Sequence, residues 1–176
     1  MKIVFKDFIH LNDNEIKDIL ELRNQKNIRE HMKDSKIITI KKHFDFINSL
    51  NDSIDRKYFA IFNENQLLGS LNFIKNEELS WGLYFKDSSS PILKSVSTYI
   101  FLEFIFKQFD DDINSSVKKN NIQALNFNKS FGFDIFKENN EYFYLILSKQ
   151  TWENHKNLKL IKPIKKYLDK IDYEFN

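Results

Sequence analysis

The stretch that decides the fold runs from Lys118 to Phe133 and reads KKNNIQALNFNKSFGF. Its polar start fits the end of a strand, Ile122 to Ser130 fits a short helix, and Gly132-Phe133 fits the entry into a further strand. A glycine directly after a helix is typical of a C-terminal cap. The stretch therefore predicts a strand–helix–strand unit, and the elements on either side can be read outward from it.

The length and composition suit a single domain with a small net charge. The chain has 176 residues, of which 30% are charged, and a formal net charge of +2. That length suits a single domain, and the near balance of charges disfavours a protein built to bind nucleic acid. The absence of cysteine excludes disulfides, thiolate metal sites and a cysteine nucleophile. The sequence shows neither a membrane-spanning apolar run nor a signal peptide, so we expect a cytoplasmic protein.

Upstream of the Lys118–Phe133 stretch, alternation and helical spacing predict a series of strands and helices. Thr39 can cap the second helix, whose core face would hold Ile40, Phe44 and Ile47. In chain order we expect a strand at 3–8, a helix at 12–24, the Thr39 helix, three strands of an antiparallel meander over 58–85, a buried apolar helix at 93–109 and a strand at 113–118.

Downstream of the stretch we expect strands at 134–137 and 142–148, followed by a separate tail. Pro163 suits the start of a helix, and apolar residues then recur every three or four positions, at Ile161, Ile164, Leu168, Ile171 and Phe175. We interpret residues 151–176 as an amphipathic helical extension packed on the domain of residues 1–150. A homodimer contact and a membrane-surface helix are the alternatives.

The whole pattern predicts an α/β (α+β) fold. We expect a mixed, mostly antiparallel sheet of about seven strands, flanked by about four helices, with one further helix at the C-terminus. Self-contained catalytic motifs are missing, since there is no HExxH, GxSxG or Walker A pattern. The four histidines lack the spacing of metal ligands, so we expect no metal. An enzyme built on this chain would depend on positioning its reactants.

The stretch quoted above resembles the N-x-x-A-x-x-L-Y-x-x-x-G-F signature of the GNAT superfamily of acetyl-CoA-dependent acetyltransferases. The matching positions are Asn121, Ala124, Gly132 and Phe133. Phe127 takes the place of the leucine, and Asn128 stands where many members have tyrosine. The predicted order of elements is also the order of that superfamily. The resemblance therefore implies a GNAT fold and acetyl-CoA as co-substrate.

In that superfamily acetyl-CoA lies where the strand predicted at 79–85 separates from its neighbour, and its diphosphate rests on the start of the following helix. Ser95 and Ser97 occupy the two glycine places of the family's diphosphate loop, and replacing Ser95 by glycine is expected to leave stability nearly unchanged. The acetyl-CoA-binding residues that the resemblance implies are Leu83, Phe85, Lys94, Ser95, Val96, Ser97, Asn121 and Asn128.

Several short segments resemble one branch of the superfamily more closely. They are Leu22-Arg23-Asn24, Met32, residues 42–46, residues 57–59, Leu68-Gly69 and residues 81–84. The branch comprises nucleotide-sugar N-acetyltransferases of pseudaminic acid biosynthesis, which acetylate the amino group of a UDP-activated 4-amino-4,6-dideoxy sugar for flagellin glycans. The resemblance implies an acceptor-binding site of Arg23, Met32, His43, Phe46, Trp81, Tyr84 and Lys119.

The residues themselves leave some of these assignments open. His43 could be an ordinary surface histidine, and Phe46 could be a core side chain. Trp81 and Tyr84 are three residues apart on one strand, so alternation sends them to opposite faces and one of them should belong to the core.

The resemblance also implies a direct transfer of the acetyl group. A backbone N–H near Leu83 would polarise the thioester carbonyl. Asn72 would orient a water molecule or the amine. Asn128 would donate a hydrogen bond at the position where relatives have a tyrosine that acts as an acid. A protein N-terminal acetyltransferase and a degenerate GNAT domain that only binds ligands are the alternative functions.

Overall fold

The computed structural model describes residues 1–156 and 161–176 of the chain. Its strands are β1 (Lys2–Asp7), β2 (Arg56–Asn63), β3 (Gln66–Lys75), β4 (Leu79–Phe85), β5 (Ile113–Lys118), β6 (Asp134–Glu138), β7 (Tyr142–Leu147) and β8 (Asp172–Phe175). Its helices are α1 (Asp13–Asn24), α2 (Lys26–Arg29), α3 (Ile40–Asn48), α4 (Pro91–Gln108), α5 (Ile122–Ser130), α6 (Lys149–His155) and α7 (Lys162–Leu168). The predicted α/β fold is confirmed.

The eight strands form one mixed sheet in the order β6-β7-β5-β4-β3-β2-β1-β8. β4 pairs in parallel with β5, and β1 with β8, while the other neighbours are antiparallel. The expected meander is present as β2, β3 and β4. α4 connects β4 to β5 and supplies the long crossover that a parallel pair requires.

Helices cover both faces of the sheet. Along β2, Phe59 and Ile61 pack into a large apolar cluster that includes α4, whereas Ala60 and Phe62 pack into a smaller one that includes α1 and α3. Successive strand residues point to opposite faces, so the two clusters lie on opposite sides of the sheet. No helix within residues 1–156 and 161–176 is long and apolar enough to cross a membrane.

The buried face of α3 differs from the one that the sequence predicts. Ile40, expected in the core, is 43% exposed, and the buried residues are His43 and Ile47. The His43 ring meets the ring of Phe8 edge-on, with 6.3 Å between centroids. An imidazole packed on an aromatic ring fills this part of the core, so the helix turns His43 inward and leaves Ile40 at the surface.

The tail differs from the single helix expected over residues 151–176. It forms α6, α7 and β8, and β8 pairs with β1 at the edge of the sheet from Lys2↔Asp172 to Phe5↔Phe175. Residues 157–160 of the expected helix lie outside the described residues. The sheet therefore has eight strands rather than about seven, and the short helices α2, α6 and α7 bring the described helices to seven rather than about five.

Aromatic stacking explains why the last residues form a strand. The ring of Phe175 stacks on Phe104 of α4 at 4.0 Å and on Phe5 of β1 at 4.3 Å between centroids. Pairing with β1 also satisfies backbone groups that would otherwise lie open at the sheet edge. Trp152 of α6 is fully buried in the same cluster, so the tail shares its core with the rest of the chain.

Replacing Phe175 by alanine tests this packing. We expect Phe175→Ala to lower the free energy of unfolding by about 2 kcal/mol, because a half-buried ring is lost from the core. Tyr173→Ala is the matched control, since Tyr173 lies on the same strand and is 48% exposed. It should change stability by less than about 0.5 kcal/mol. Equal losses for both variants in urea unfolding would contradict the placement of β8.

Candidate active site

The parallel pairing of β4 with β5 is short. Only Leu79↔Ile113 and Ser80↔Asn114 are paired, although both strands continue beyond them. On its other side β4 pairs with β3 along its whole length. Residues 81–85 of β4 therefore have backbone groups, directed towards β5, that no strand of the described residues pairs.

A cavity of about 500 Å³ opens where the two strands separate. Its walls come from α2 and the residues after it, from β4 and β5, and from the beginnings of α4 and α5. The residues singled out in the sequence that line it are Met32, Trp81, Leu83, Tyr84, Phe85, Lys94, Asn121 and Asn128. The other candidates are not among the described residues that line the cavity. They are Arg23, His43, Phe46, Asn72, Ser95, Val96, Ser97 and Lys119.

Asn72 lies directly behind one lining residue. It is paired with Gly82 across β3 and β4, and a Cβ atom at residue 82 would lie 2.7 Å from Asn72 Oδ1. Glycine at this position thus makes room for the amide of Asn72. Because Gly82 lines the cavity, Asn72 is adjacent to the site without forming part of its wall.

The first turn of α4 has free backbone amides next to Lys94, which lines the cavity. The helix begins at Pro91, which has no N–H, and the N–H of Lys94 already donates to Ser90 O at 3.0 Å. The N–H groups left without a partner inside the helix are therefore those of Ile92 and Leu93. The side chain of Lys94 lines the cavity beside them.

The serines expected in a diphosphate loop lie one turn further along α4. Ser95, Val96 and Ser97 belong to the helix, where their N–H groups bond to carbonyls four residues earlier. Ser95 Oγ donates to Pro91 O at 2.9 Å, and Ser97 is fully buried. The serines therefore take helical angles and do not form a glycine-like loop. The helix begins two residues before the start that the sequence predicts, and the serines lie inside it in both cases.

Two asparagines of α5 line the cavity with their amides already engaged. Asn121 caps the helix, and its Oδ1 accepts from Ala124 N at 3.1 Å. Asn128 is 3% exposed, and its Nδ2 donates to Ala124 O at 2.8 Å. Asn128 Oδ1 is buried and has no partner among the described residues. Asn128 therefore has a free acceptor, and one N–H of Nδ2 is not used by Ala124 O, so the donor role expected from the sequence stays a prediction.

Trp81 and Tyr84 lie on opposite faces of β4, as the sequence predicts. Trp81 is 6% exposed and stacks on Phe133, with centroids 4.9 Å apart and planes 14° from parallel. Tyr84 is half-buried on the face that carries α1 and α3. Burial raises the pKa of Tyr84 to about 12, against the smaller effects of a hydrogen bond with Ser70 and the charge of Arg23. Its phenol is thus protonated at neutral pH.

Arg23 and His43 form a polar group within electrostatic range of each other on that same face. Arg23 Nη2 donates to Asp34 O at 3.2 Å, while Arg23 Nη1 is buried without a partner in the described part of the chain. Burial lowers the pKa of His43, a hydrogen bond with the backbone of Ile16 raises it, and the charge of Arg23 lowers it again. The net effect favours a neutral imidazole.

Phe46 and Lys119 contact other parts of the molecule. Phe46 meets the ring of Tyr58 edge-on, at 5.0 Å between centroids, which is ordinary core packing. Lys119 pairs with Glu138 at 3.0 Å and lies 5.2 Å above the ring of Phe143. These contacts direct both side chains away from the cavity.

Two contacts that the sequence does not predict tie α2 to both sides of the cavity. Lys118 Nζ donates to Glu30 O at 2.8 Å, and Asn27 Nδ2 donates to Asp87 Oδ2 at 2.7 Å. Further lining residues not singled out in the sequence include His31, Ser115, Ser116 and Tyr142. The adjacent serines could have been noticed, since they stand side by side in a strand that the sequence predicts.

His31 has no local signal that marks it as functional, because it reaches the cavity only through the fold. It is half-buried, and its Nδ1 atom has no hydrogen-bond partner among residues 1–156 and 161–176. The same described residues contain no group of three or more His, Asp or Glu placed to hold a metal ion.

The helical position of Ser95 makes a prediction opposite to the one from sequence. Ser95→Gly should lower the free energy of unfolding by about 1 kcal/mol, because it puts glycine inside a helix and removes the bond to Pro91 O. Ser90→Gly is the control, since Ser90 is the N-cap and makes no side-chain capping bond. Its effect should be a few tenths of a kcal/mol. Unchanged stability of Ser95→Gly would contradict the assignment of this helix turn.

Known acetyltransferases are similar to the chain over most of its length. No protein-family model matches the chain. It is 31% identical over 151 residues to acetyltransferase PseH of Campylobacter jejuni subsp. jejuni serotype O:2, which covers 82% of this chain and 93% of that protein. The PseH of serotype O:23/36 is 30% identical with the same coverage.

Solved structures agree with these relatives. The crystal structure of C. jejuni N-acetyltransferase PseH in complex with acetyl coenzyme A matches with a TM-score of 0.66 at 25% identity, over 84% of this chain and 99% of that one. Apo FdhC, a nucleotide-linked sugar GNAT, shares the fold with a TM-score of 0.67 at 20% identity, over 83% and 88% of the two chains. The resemblance drawn from the sequence is confirmed: the chain belongs to the PseH family of acetyltransferases and has the GNAT fold.

Proposed function

We propose that this chain transfers the acetyl group of acetyl-CoA to the 4-amino group of a UDP-activated 4-amino-4,6-dideoxy sugar, in the biosynthesis of pseudaminic acid for flagellin glycans. The observation that carries the proposal is the cavity between β4 and β5, in a chain whose C. jejuni relative was solved with acetyl coenzyme A. The cavity has α4 and α5 on one side and α2 on the other, so two reactants can meet at β4 from opposite faces.

In this proposal acetyl-CoA lies along the unpaired backbone of β4, with contacts at Leu83 and Phe85. The free amides of Ile92 and Leu93 suit its diphosphate, because the start of a helix attracts anions. Lys94 adds a positive charge at the same end, and its Nζ makes only a long bond of 3.4 Å to a backbone carbonyl. The diphosphate site is thus assigned to the first turn of α4 and not to Ser95–Ser97.

The sugar nucleotide is assigned to the opposite side, between α2 and β4. Met32 and Tyr84 belong to that wall, and the unpartnered Nη1 of Arg23 suits a phosphate oxygen of the UDP group. We assign His43 and Phe46 to shaping this side from behind, since both pack within the smaller apolar cluster. The contacts of Lys119 give no reason to place it against the sugar.

The chemistry is attack of the neutral amine on the thioester carbonyl. A backbone N–H of β4 near Leu83 stabilises the negative charge that develops on the carbonyl oxygen. Asn72 cannot take a proton, and the protonated phenol of Tyr84 is no base at neutral pH. We assign the amine's proton to His31, reached directly or through water, because His31 lines the cavity and its Nδ1 has no partner in the described part of the chain.

Purified protein incubated with acetyl-CoA and the UDP-4-amino sugar should release free CoA and form the N-acetyl sugar. Acetyl-CoA without sugar is the background control, and a peptide with a free N-terminus tests the protein N-terminal acetyltransferase alternative. Turnover of the peptide but not of 4-amino nucleotide sugars would contradict the proposal. A melting temperature that does not respond to acetyl-CoA would favour a degenerate binding domain instead.

The diphosphate assignment predicts a donor-specific effect of Lys94→Gln. The KM for acetyl-CoA should rise about tenfold, because a charge-assisted bond to phosphate is lost. The KM for S-acetylpantetheine, which lacks the diphosphate, should stay unchanged. Lys107→Gln at the far end of α4 is the control and should alter neither value. An equal rise for both donors would contradict the assignment.

A further inference from the structure

The leaving sulfur of the thioester needs a hydrogen-bond donor, and Asn128 of α5 stands where the superfamily signature has tyrosine. Nδ2 of Asn128 donates one of its two N–H groups to Ala124 O at 2.8 Å. Its Oδ1 is a buried acceptor without a partner among the described residues. An amide is no acid, so a further donor on the cavity wall would help to stabilise the negative charge that develops on sulfur.

Trp81, which also lines the cavity, carries such a donor. Its Nε1 is a donor only, and it is buried with no hydrogen-bond partner in the described part of the chain. Trp81 is also the first residue of β4 beyond the last pair with β5, Ser80↔Asn114, and therefore lies where the two strands begin to separate. Stacking on Phe133 holds the plane of the indole in place.

The other tryptophan shows how this chain treats a buried indole that has no ligand to meet. Trp152 is fully buried in α6, and its Nε1 donates to Glu103 Oε1 at 2.6 Å. A buried donor left unpaired is unfavourable, so proteins normally provide a partner of this kind. Trp81 lines the cavity and its Nε1 has no such partner, so this indole N–H is a candidate donor for a ligand atom.

We propose that Trp81 Nε1–H donates a hydrogen bond to the thioester sulfur and stabilises it as it leaves as thiolate. This inference rests on the proposed function, since it takes acetyl-CoA as the occupant of the cavity. The C–N bond forms, the C–S bond breaks, and its electron pair stays on sulfur. The proton leaves the amine to His31 or water, and solvent protonates the thiolate. The indole keeps its own proton throughout, so its role is electrostatic.

Titration of CoA bound to the protein tests this directly and needs no sugar. The thiolate absorbs in the ultraviolet, so its absorbance against pH gives the pKa of the bound thiol. In the wild type this pKa should lie below that of free CoA, because the indole N–H favours the thiolate. In Trp81→Phe it should rise towards the value of free CoA. In Trp152→Phe, the matched control, it should stay at the wild-type value.

Turnover supplies the second readout. Trp81→Phe should lower kcat about tenfold or more while KM for acetyl-CoA stays within about twofold, because the bond strengthens only as sulfur gains charge. A second replacement keeps the shape of the indole and so guards against misfolding. It is the tryptophan analogue with sulfur in place of N–H. Incorporated into the Trp152→Phe variant, this analogue alters residue 81 alone. It should reproduce the effects of Trp81→Phe.

The outcomes separate this inference from the proposed function. The same pKa of bound CoA in the wild type and in both residue 81 replacements would overturn the role of Trp81, even if the sugar is acetylated. A lowered thiol pKa that depends on Trp81, together with no acetylation of any 4-amino nucleotide sugar, would support Trp81 and contradict the assigned acceptor. Failure of CoA to bind the wild type would overturn both.

Discussion

The structure depends on one interruption in an otherwise continuous sheet. β4 is paired with β3 from Leu79 to Phe85, but its pairing with β5 stops after Ser80. The unpaired backbone beyond that point is exposed to a cavity, where only water or a ligand can satisfy it. The sheet remains stable because the core on both sides is intact, so the gap can serve binding without weakening the fold.

The same interruption brings two separate environments to one strand. Leu83 and Phe85 belong to the face that packs on the α4 cluster, while Tyr84 points to the face of α1 and α3. A ligand held along β4 therefore has an apolar wall on one side and the phenol of Tyr84 on the other. This division suits the proposed reaction, in which a thioester and a charged sugar nucleotide would approach each other from opposite sides of one cavity.

Local signals in the sequence predicted the fold well. The meander over residues 58–85 and the unit around Asn121 to Phe133 follow from turns, alternation and capping, which depend on neighbouring residues alone. The tail could not be predicted in this way. Its strand exists because Phe175 finds Phe5 and Phe104, which are distant in sequence.

The sequence predicted the candidate site less completely than the fold, again because contacts between residues distant in the sequence decide it. Residues of β4 and α5 reach the cavity because their elements border it, and the motif marked them. Ser95 and Ser97, which the resemblance assigns to the diphosphate, lie inside the helix that begins at Pro91 and are not among the residues that line the cavity. His31 belongs to no motif, and the unpaired Nε1 of Trp81 is visible only in the structure.

Amide hydrogen exchange of β4, with and without acetyl-CoA, tests most directly the claim that the gap beside β4 is the binding site. We expect slower exchange on binding for amides within residues 81–85 and for Ile92 and Leu93, with no change at the outer strands β6 and β8. Slower exchange confined to other parts of the molecule, with β4 unaffected, would contradict it.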